Sequence, residues 1–215
     1  MDTMRNGLIL PVVSLWVFVI SLALASCTRP AFLGGIGTSG KYLEAKEEIT
    51  RKRGGNIDKA IVSLETVVRE DPTYRDSLTL LGRAYYKRER YGDAKLILQR
   101  ALAVNKEDEI AWLTIGLAEL RLGENERGLE ATQGGLTLFN KVSTEGYRGY
   151  KYWDRAGHVK IATRRAVNAA RQGLGEKENL VRSVENLLAA IDEEEFNLRT
   201  EKTKDFWRES HGVGH

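Results

Sequence analysis

The amino-acid sequence predicts an all-α protein: a short row of antiparallel helical hairpins, closed at its C-terminal end by capping helices. Three observations carry that expectation. The stretch from Leu78 aligns with the stretch from Trp112 at a fixed offset of 34 residues, pairing Leu78 with Trp112, Leu81 with Ile115, Gly82 with Gly116 and Leu102 with Leu136. Within each unit the apolar residues recur at three and four, the spacing of one helix face. Gly92-Asp93 and Gly123-Glu124-Asn125 fall where a tight helix–helix turn is expected.

Taken in order, the chain opens with a polar start, Met1 to Gly7, carrying Arg5, and then runs 18 residues without a charge, "LILPVVSLWVFVISLALA". A basic start before an apolar run is the pattern of a secretory signal. The run is also just long enough to stay as a membrane helix, although Pro11 near its start weakens that reading. "ALA" at residues 23–25 would suit an ordinary signal-peptidase cut that releases a soluble protein. Leu24-Ala25-Ser26-Cys27 together resemble a bacterial lipobox: an aliphatic residue, two small ones, and the cysteine that is lipidated and becomes the new N-terminus. This last reading also accounts for where the sole thiol sits. What the resemblance implies is a diacylglycerol thioether on Cys27, usually with a further acyl chain on the freed amine. A single acyl chain holds a bilayer only marginally, at about 0.8 kcal/mol per buried methylene, so two or three are needed. Thr28 stands where an aspartate often marks inner-membrane retention, which favours the outer membrane, facing the periplasm. Residues 1–26 are thus expected to be a signal peptide. Residues 27–40, ending in "TRPAFLGGIGTSG", are expected to be a lipidated cysteine and a flexible glycine-rich tether.

The repeated units that follow resemble the tetratricopeptide repeat, two antiparallel helices per unit with units stacked side by side. The resemblance covers about residues 41–141, as a partial unit at 41–74 and two fuller ones at 75–108 and 109–141. It implies a short right-handed solenoid. Large residues (Leu78, Trp112) would pack between helices, and small ones (Gly82, Gly116, with Ala94 and Ala101 opposite) would permit close approach. "GGNIDKAIVSLETVVREDP" supplies a second helix one period earlier, with Ala60 and Leu64 matching Ala94 and Leu98, and Pro72 stops it. The helix before it, about Lys41 to Arg53, carries Glu47 and Glu48 where apolar and small residues are expected. In the last unit Gly128 and Gly135 replace alanines and Thr132 replaces leucine. Each glycine costs up to about 1 kcal/mol of helix propensity, so this helix is expected to lean on its neighbours.

Residues 142–204 are read as an aromatic–basic loop and two more helices, Arg155 to Gln172 and Lys177 to Lys204. The second sets Leu180, Val184, Leu187, Leu188 and Ile191 on one face, and 205–215 are read as a flexible tail. A solenoid needs such a cap over its last apolar face. The acidic run Asp192 to Glu195 reads as the solvated side of a helix.

Tetratricopeptide stacks usually bind along the concave face, through the first helix of each unit. That resemblance places Asp76, Thr79, Arg83, Tyr86 and Lys87 of one unit, and Ile110, Leu113, Leu117, Leu120 and Arg121 of the next, in a groove. The aliphatic wall could hold a partner's amphipathic helix, or the chain's own C-terminal helix could fill it. The carboxylate clamp of chaperone-binding members is not expected, because Ala45, Ile49, Leu80, Ile110 and Thr114 stand at its positions. In "GYRGYKYWDR", Tyr147, Tyr150 and Trp153 could dock a partner, or pack their rings on the repeats while the charges stay solvated.

A net charge of +3, from 33 basic and 30 acidic residues, is too even for a nucleic-acid partner. His158, His211 and His215 lack the carboxylate or cysteine spacing of a metal site, and no phosphate loop or nucleophile elbow is present. The expected function is therefore not enzymatic and needs no cofactor. It is a lipid-anchored bacterial cell-envelope scaffold for a protein or peptide of an envelope complex of the secretion, pilus or outer-membrane biogenesis type. The alternative is a small-ligand or glycan-binding accessory using the groove and aromatic loop, which would need a cavity walled by Tyr86, Tyr147 and Trp153. A Cys27→Ala variant should move the protein from the membrane to the soluble fraction, and mass spectrometry of the mature N-terminus should find acyl chains on Cys27 of the parent.

Overall fold

The computed structural model of the chain describes residues 31–51, 54–144, 147 and 153–210. Cys27, Tyr150 and residues 211–215 lie outside them. The chain divides into two compact units, Met1–Ser39 and Gly40–His215. The described part of the first, residues 31–39, is helical. Helix α1 as a whole spans Ala31–Thr50. The second unit continues with α2 (Ile57–Glu70), α3 (Ser77–Lys87), α4 (Tyr91–Val104), α5 (Glu109–Arg121), α6 (Asn125–Thr144), α7 (His158–Gln172) and α8 (Lys177–Ser210). A 3-10 turn, Gly173–Glu176, joins the last two. No strand occurs among the described residues, and none of their helices is long and apolar enough to cross a membrane.

Two boundaries differ from the composition-based reading. Helix starts at Ala31, inside the expected tether, because no proline or turn sequence separates residues 31–40 from the helix that follows, and isolated glycines lower helix propensity without breaking it. At the other end α8 continues to Ser210, through part of the expected tail.

The 34-residue period is visible in the turns as well as the helices. Asp71 ends α2 and Asn105 ends α4, both in extended conformation. Each folds its side chain onto the amide two residues on: Thr73 N–H donates to Asp71 Oδ1 at 2.9 Å and Glu107 N–H to Asn105 Oδ1 at 3.1 Å. These are Asx turns, the local bond that lets Asp and Asn compete with a helix. The turns within hairpins also repeat. Glu89 (φ 59°) and Gly123 (φ 82°) are one period apart and both left-handed. The hairpin therefore turns at Arg88–Arg90, and Gly92-Asp93 lie in the first turn of α4 rather than in the break expected there. Glycine pays no steric penalty in this conformation, whereas Glu89 does.

Where hairpins cross, glycines set the distance. A Cβ on Gly116 would sit 2.4 Å from Thr132 Oγ1 and 2.9 Å from the Gly128 carbonyl; one on Gly128 would meet Leu120 N at 2.8 Å, and one on Gly135 would meet Leu113 N at 2.9 Å. Helices α5 and α6 thus touch backbone to backbone over the stretch where Gly128 to Gly135 faces Leu113 to Leu120. Gly128 and Gly135, which look like losses of helix propensity, are what this contact requires. Thr132 is fully buried beside them.

The apolar interior falls into two clusters that meet at α5. Tyr42, Ala45 and Ile49 of α1, with residues of α2, α3 and α4, pack against Ala111, Ile115 and Ala118. The opposite side of α5, Ile110, Leu113, Leu117 and Leu120, packs with α6, α7 and α8. The first helix therefore joins the stack despite its acidic pair: Glu47 is exposed, and Glu48 accepts a bond from Asn56 N–H at 2.8 Å.

Replacing Glu89 by glycine, as Gly123 already provides, should raise unfolding stability by about 1 kcal/mol. Urea denaturation of the two proteins, read as the shift in midpoint at constant slope, checks this.

Candidate functional site

The expected groove residues come together, but the groove is largely filled by the chain itself. Leu113, Leu117 and Leu120 are completely buried, and Ile110 is nearly so. They lie in one cluster with Leu180, Val184, Leu187, Leu188 and Ile191 of α8. This aliphatic wall is thus not open to a partner; α8 covers it. The physical reason is the size of the patch, since each such side chain gains about 1.5–3 kcal/mol on burial and leaving all of them in water would be costly.

A polar seam runs beside the apolar one. Glu178, Glu185 and Asp192 are spaced by seven, two helical turns, and so share a face of α8. Arg121 of α5 reaches Glu178 at 3.1 Å and Glu185 at 3.5 Å. The Tyr86 hydroxyl donates to Glu185 Oε1 at 2.5 Å. Burial, and then that bond, push the Tyr86 pKa well up; Arg121 is raised as well, first by its contact with Tyr86. Arg83 donates to Asp192 Oδ2 at 2.6 Å, with both side chains about nine-tenths buried. Burial opposes the Arg83 charge, and Asp192 outweighs it by attraction and hydrogen bonding. Lys46 of α1 lies 3.5 Å from Glu195 and 3.6 Å from Asp76. Helix α8 therefore crosses α5, α3 and α1 in turn.

Asp192 and Glu195 are consequently buried, not on the wet side of α8 as the acidic run suggests. The run conceals two populations: Glu193 is exposed, while Asp192 and Glu195 point three residues apart into the groove. Their cationic partners lie 109 and 149 residues away in sequence, at Arg83 and Lys46. No local pattern marks them.

The other groove residues are engaged between repeats. The Tyr42 hydroxyl donates to Asp76, and Thr79 donates to Asp108 Oδ2 at 2.6 Å. The Lys87 ammonium donates to the Ile49 carbonyl while its stem stays exposed. Burial of the amine, and then Arg83, push its pKa down. Of the aromatic loop, Tyr147 is buried, 5.5 Å from Phe139 and 4.3 Å from a half-buried Trp153, ring centre to ring centre. These rings pack on α6. Tyr86, Tyr147 and Trp153 line three separate clefts and do not wall one cavity.

Two clefts stay open along the stack: one of about 360 Å³ beside α8, lined by the expected groove residues Arg83, Tyr86, Lys87 and Arg121, and a second of about 570 Å³ at the N-terminal ends of α3 and α5. Leu78, Ala101 and Val104 supply apolar surface, Tyr42 and Tyr147 supply rings, and Lys46, Arg75, Asp76, Asp108, Glu109 and Asn105 supply charges and an amide. Thr79 and Asp76 are the two expected groove residues that reach it. Arg75 is held outward in a left-handed turn (φ 50°), its guanidinium 5.5 Å from the Tyr42 ring centre and 5.8 Å from that of Tyr74. Asp108 caps α5 by accepting from Ala111 N–H at 2.8 Å. Sequence reasoning missed Tyr42, Lys46, Arg75 and Asp108. The position of Asp108 just before an apolar helix marks it as a cap, and nothing local marks the other three.

Among the described residues no group of His, Cys, Asp and Glu is placed to hold a metal ion.

Arg83→Met should cost about 3–5 kcal/mol of stability, because the buried Asp192 carboxyl would lose its guanidinium partner. The double variant Arg83→Met/Asp192→Leu should recover most of that loss. A chemical-denaturation double-mutant cycle measures both.

No curated protein matches the chain in sequence. Among solved structures, one titled "Crystal structure of MamA" is 22% identical, with 66% of this chain and 71% of that chain covered and a TM-score of 0.41. Residues 53–125, from the turn before α2 to the start of α6, match the family model described as the tetratricopeptide repeat. With the hairpins and the turns that repeat every 34 residues, that segment is built of tetratricopeptide-like helical hairpins, an architecture that supports a protein–protein interaction scaffold.

Proposed function

We propose that this protein is a lipid-anchored scaffold of a bacterial cell-envelope assembly, held at the outer membrane through acyl chains on Cys27 and facing the periplasm. Its work is to hold a protein or peptide of that assembly, with no chemical step of its own. The observation that carries the scaffold reading is the open cleft of about 570 Å³ in a repeat stack whose aliphatic groove wall is covered by α8. Its mixture of rings, short apolar patches and both signs of charge suits an extended peptide segment with alternating polar and apolar side chains. The lipobox-like Leu24-Ala25-Ser26-Cys27 supports the anchor. The even charge balance of 33 basic to 30 acidic residues supports a protein partner over a nucleic acid.

The exposed rim is where charge sets the encounter and its specificity. A photo-crosslinking residue at Arg75 in living cells should capture one dominant protein. Reversing the rim with Arg75→Glu and Glu109→Lys should lower the affinity of the purified pair by about ten-fold. Capture of no protein above background in envelope extracts, with the chain folded and membrane-bound, counts decisively against the cleft as a docking site.

A further inference from the structure

We propose that the outward face of α7 docks flat on an anionic phospholipid surface. Helix α7 carries Lys160, Arg164, Arg165 and Arg171 and no acidic residue. All four are exposed. Among the described residues none of the four has an ion-pair partner, as is also true of the scattered exposed Arg100, Lys106 and Lys141, whereas the less exposed Lys46, Arg83, Lys95 and Arg121 are paired. An unpaired row of cations on a rigid helix is a surface left to meet negative charge from outside.

The arrangement on the helix points to a bilayer. At roughly 100° per residue, Lys160, Arg164 and Arg171 fall on one flank and Arg165 on the other, with Ile161, 48% exposed, between them beside exposed Asn168 and Gln172. On such a face the long cationic stems reach phosphates while the one apolar side chain sinks and the two amides meet headgroups. Clefts of about 500 and 470 Å³ beside α7 are furnished with hydroxyls and amides, Ser143, Thr144 and Thr163 in one and Ser183 and Asn186 in the other. One carboxylate, Asp154, lines the first, and it is occupied in accepting from Val159 and Lys160 N–H at 2.9 and 2.7 Å. Half-buried Trp153 stands in the same cleft, the residue type that favours a membrane–water boundary. An acidic protein would meet the same charges, and the vesicle experiment separates it from lipid. The inference builds on the reading that the chain sits beside a bilayer.

The test uses the full chain with vesicles of phosphatidylcholine alone and of phosphatidylcholine with phosphatidylglycerol. Flotation reports attachment. Water-soluble amine and dicarbonyl reagents, read by peptide mass spectrometry, report exposure of Lys160, Arg164 and Arg165, with exposed Lys106 as internal reference. Anionic vesicles should slow modification of the α7 cations by roughly five-fold or more relative to neutral ones, and raised salt should cancel the difference. The quadruple variant K160E/R164E/R165E/R171E should float as before with its helix content unchanged, and show no preference for phosphatidylglycerol. Equal modification on both vesicle types while the chain floats overturns the proposal and leaves the anchor standing. Failure to float on neutral vesicles overturns the anchor; flotation on anionic ones that the quadruple variant loses still supports α7 docking. Flotation on neither, or protection by an acidic envelope protein without protection by phosphatidylglycerol, overturns the docking proposal.

Discussion

The structure depends on one helix being apolar on every side. From Ile110 to Leu120, α5 exposes almost nothing. Its Ala111, Ile115 and Ala118 complete the cluster built by the first four helices, and its Ile110, Leu113, Leu117 and Leu120 begin the cluster built by the last three. A helix that is hydrophobic all round has no stable place at a surface, so something must cover its second face. That requirement explains why the chain does not stop at the repeats. Helices α6, α7 and α8 exist, energetically, to remove the second face of α5 from water. The glycine contacts at Gly116, Gly128 and Gly135 then bring α6 in as close as backbones allow, which leaves room for α8 on the same side.

Helix α8 is held by two kinds of contact of unequal strength. Six buried aliphatic side chains, each worth about 2 kcal/mol, fasten its first half to α5 and α7. Beyond Ile191 its contacts to α3 and α1 are ionic, through Asp192 and Glu195. Buried pairs of this kind add little net stability over an apolar replacement, but they fix orientation, since a helix rotated by one residue would strand both charges. The apolar half decides that α8 docks, and the ionic half decides in what register. Between them they account for the groove's loss as a general peptide channel, while a cleft stays open at the N-terminal ends of α3 and α5.

How much of this was legible in the sequence follows from the range of each signal. The helices, their pairing and the fold class are written in short periods: the 34-residue offset, the apolar spacing of three and four, and the small residues at Gly82 and Gly116. These survive because they act within one hairpin or between adjacent ones. The near-continuous apolar run of α5 also announces burial on both sides, although it does not say by what. The site was less legible. Arg83 and Lys46 find Asp192 and Glu195 only after the whole chain has wrapped round, and no window of sequence contains both partners. Gly92 drew attention as a turn residue while the left-handed position fell to Glu89, a residue type with no preference for it. The glycines of α6 looked like weakness because propensity is a single-helix quantity and the contact they serve belongs to two helices. The tether at 31–40 failed as a reading for a related reason: glycine content lowers the odds of a helix, and only a proline or a capped turn ends one.

The two-sided character of α5 also bears on how such a protein can change by duplication. In an array of equivalent units, copying one unit anywhere lengthens the row and alters nothing else. Here the last unit carries a second apolar face matched to a unique lid, while the unit before it turns polar groups, the Arg83 guanidinium and the Tyr86 hydroxyl, toward that same lid. A copy inserted after α6 would stand between α5 and its cover and leave both without partners. A copy inserted ahead of α3 would meet surfaces of its own kind on both flanks, yet would carry Lys46 away from the acid it pairs with. Tandem growth is thus closed at one end of the stack and tolerated at the other, which gives the array a direction that the period of 34 does not reveal.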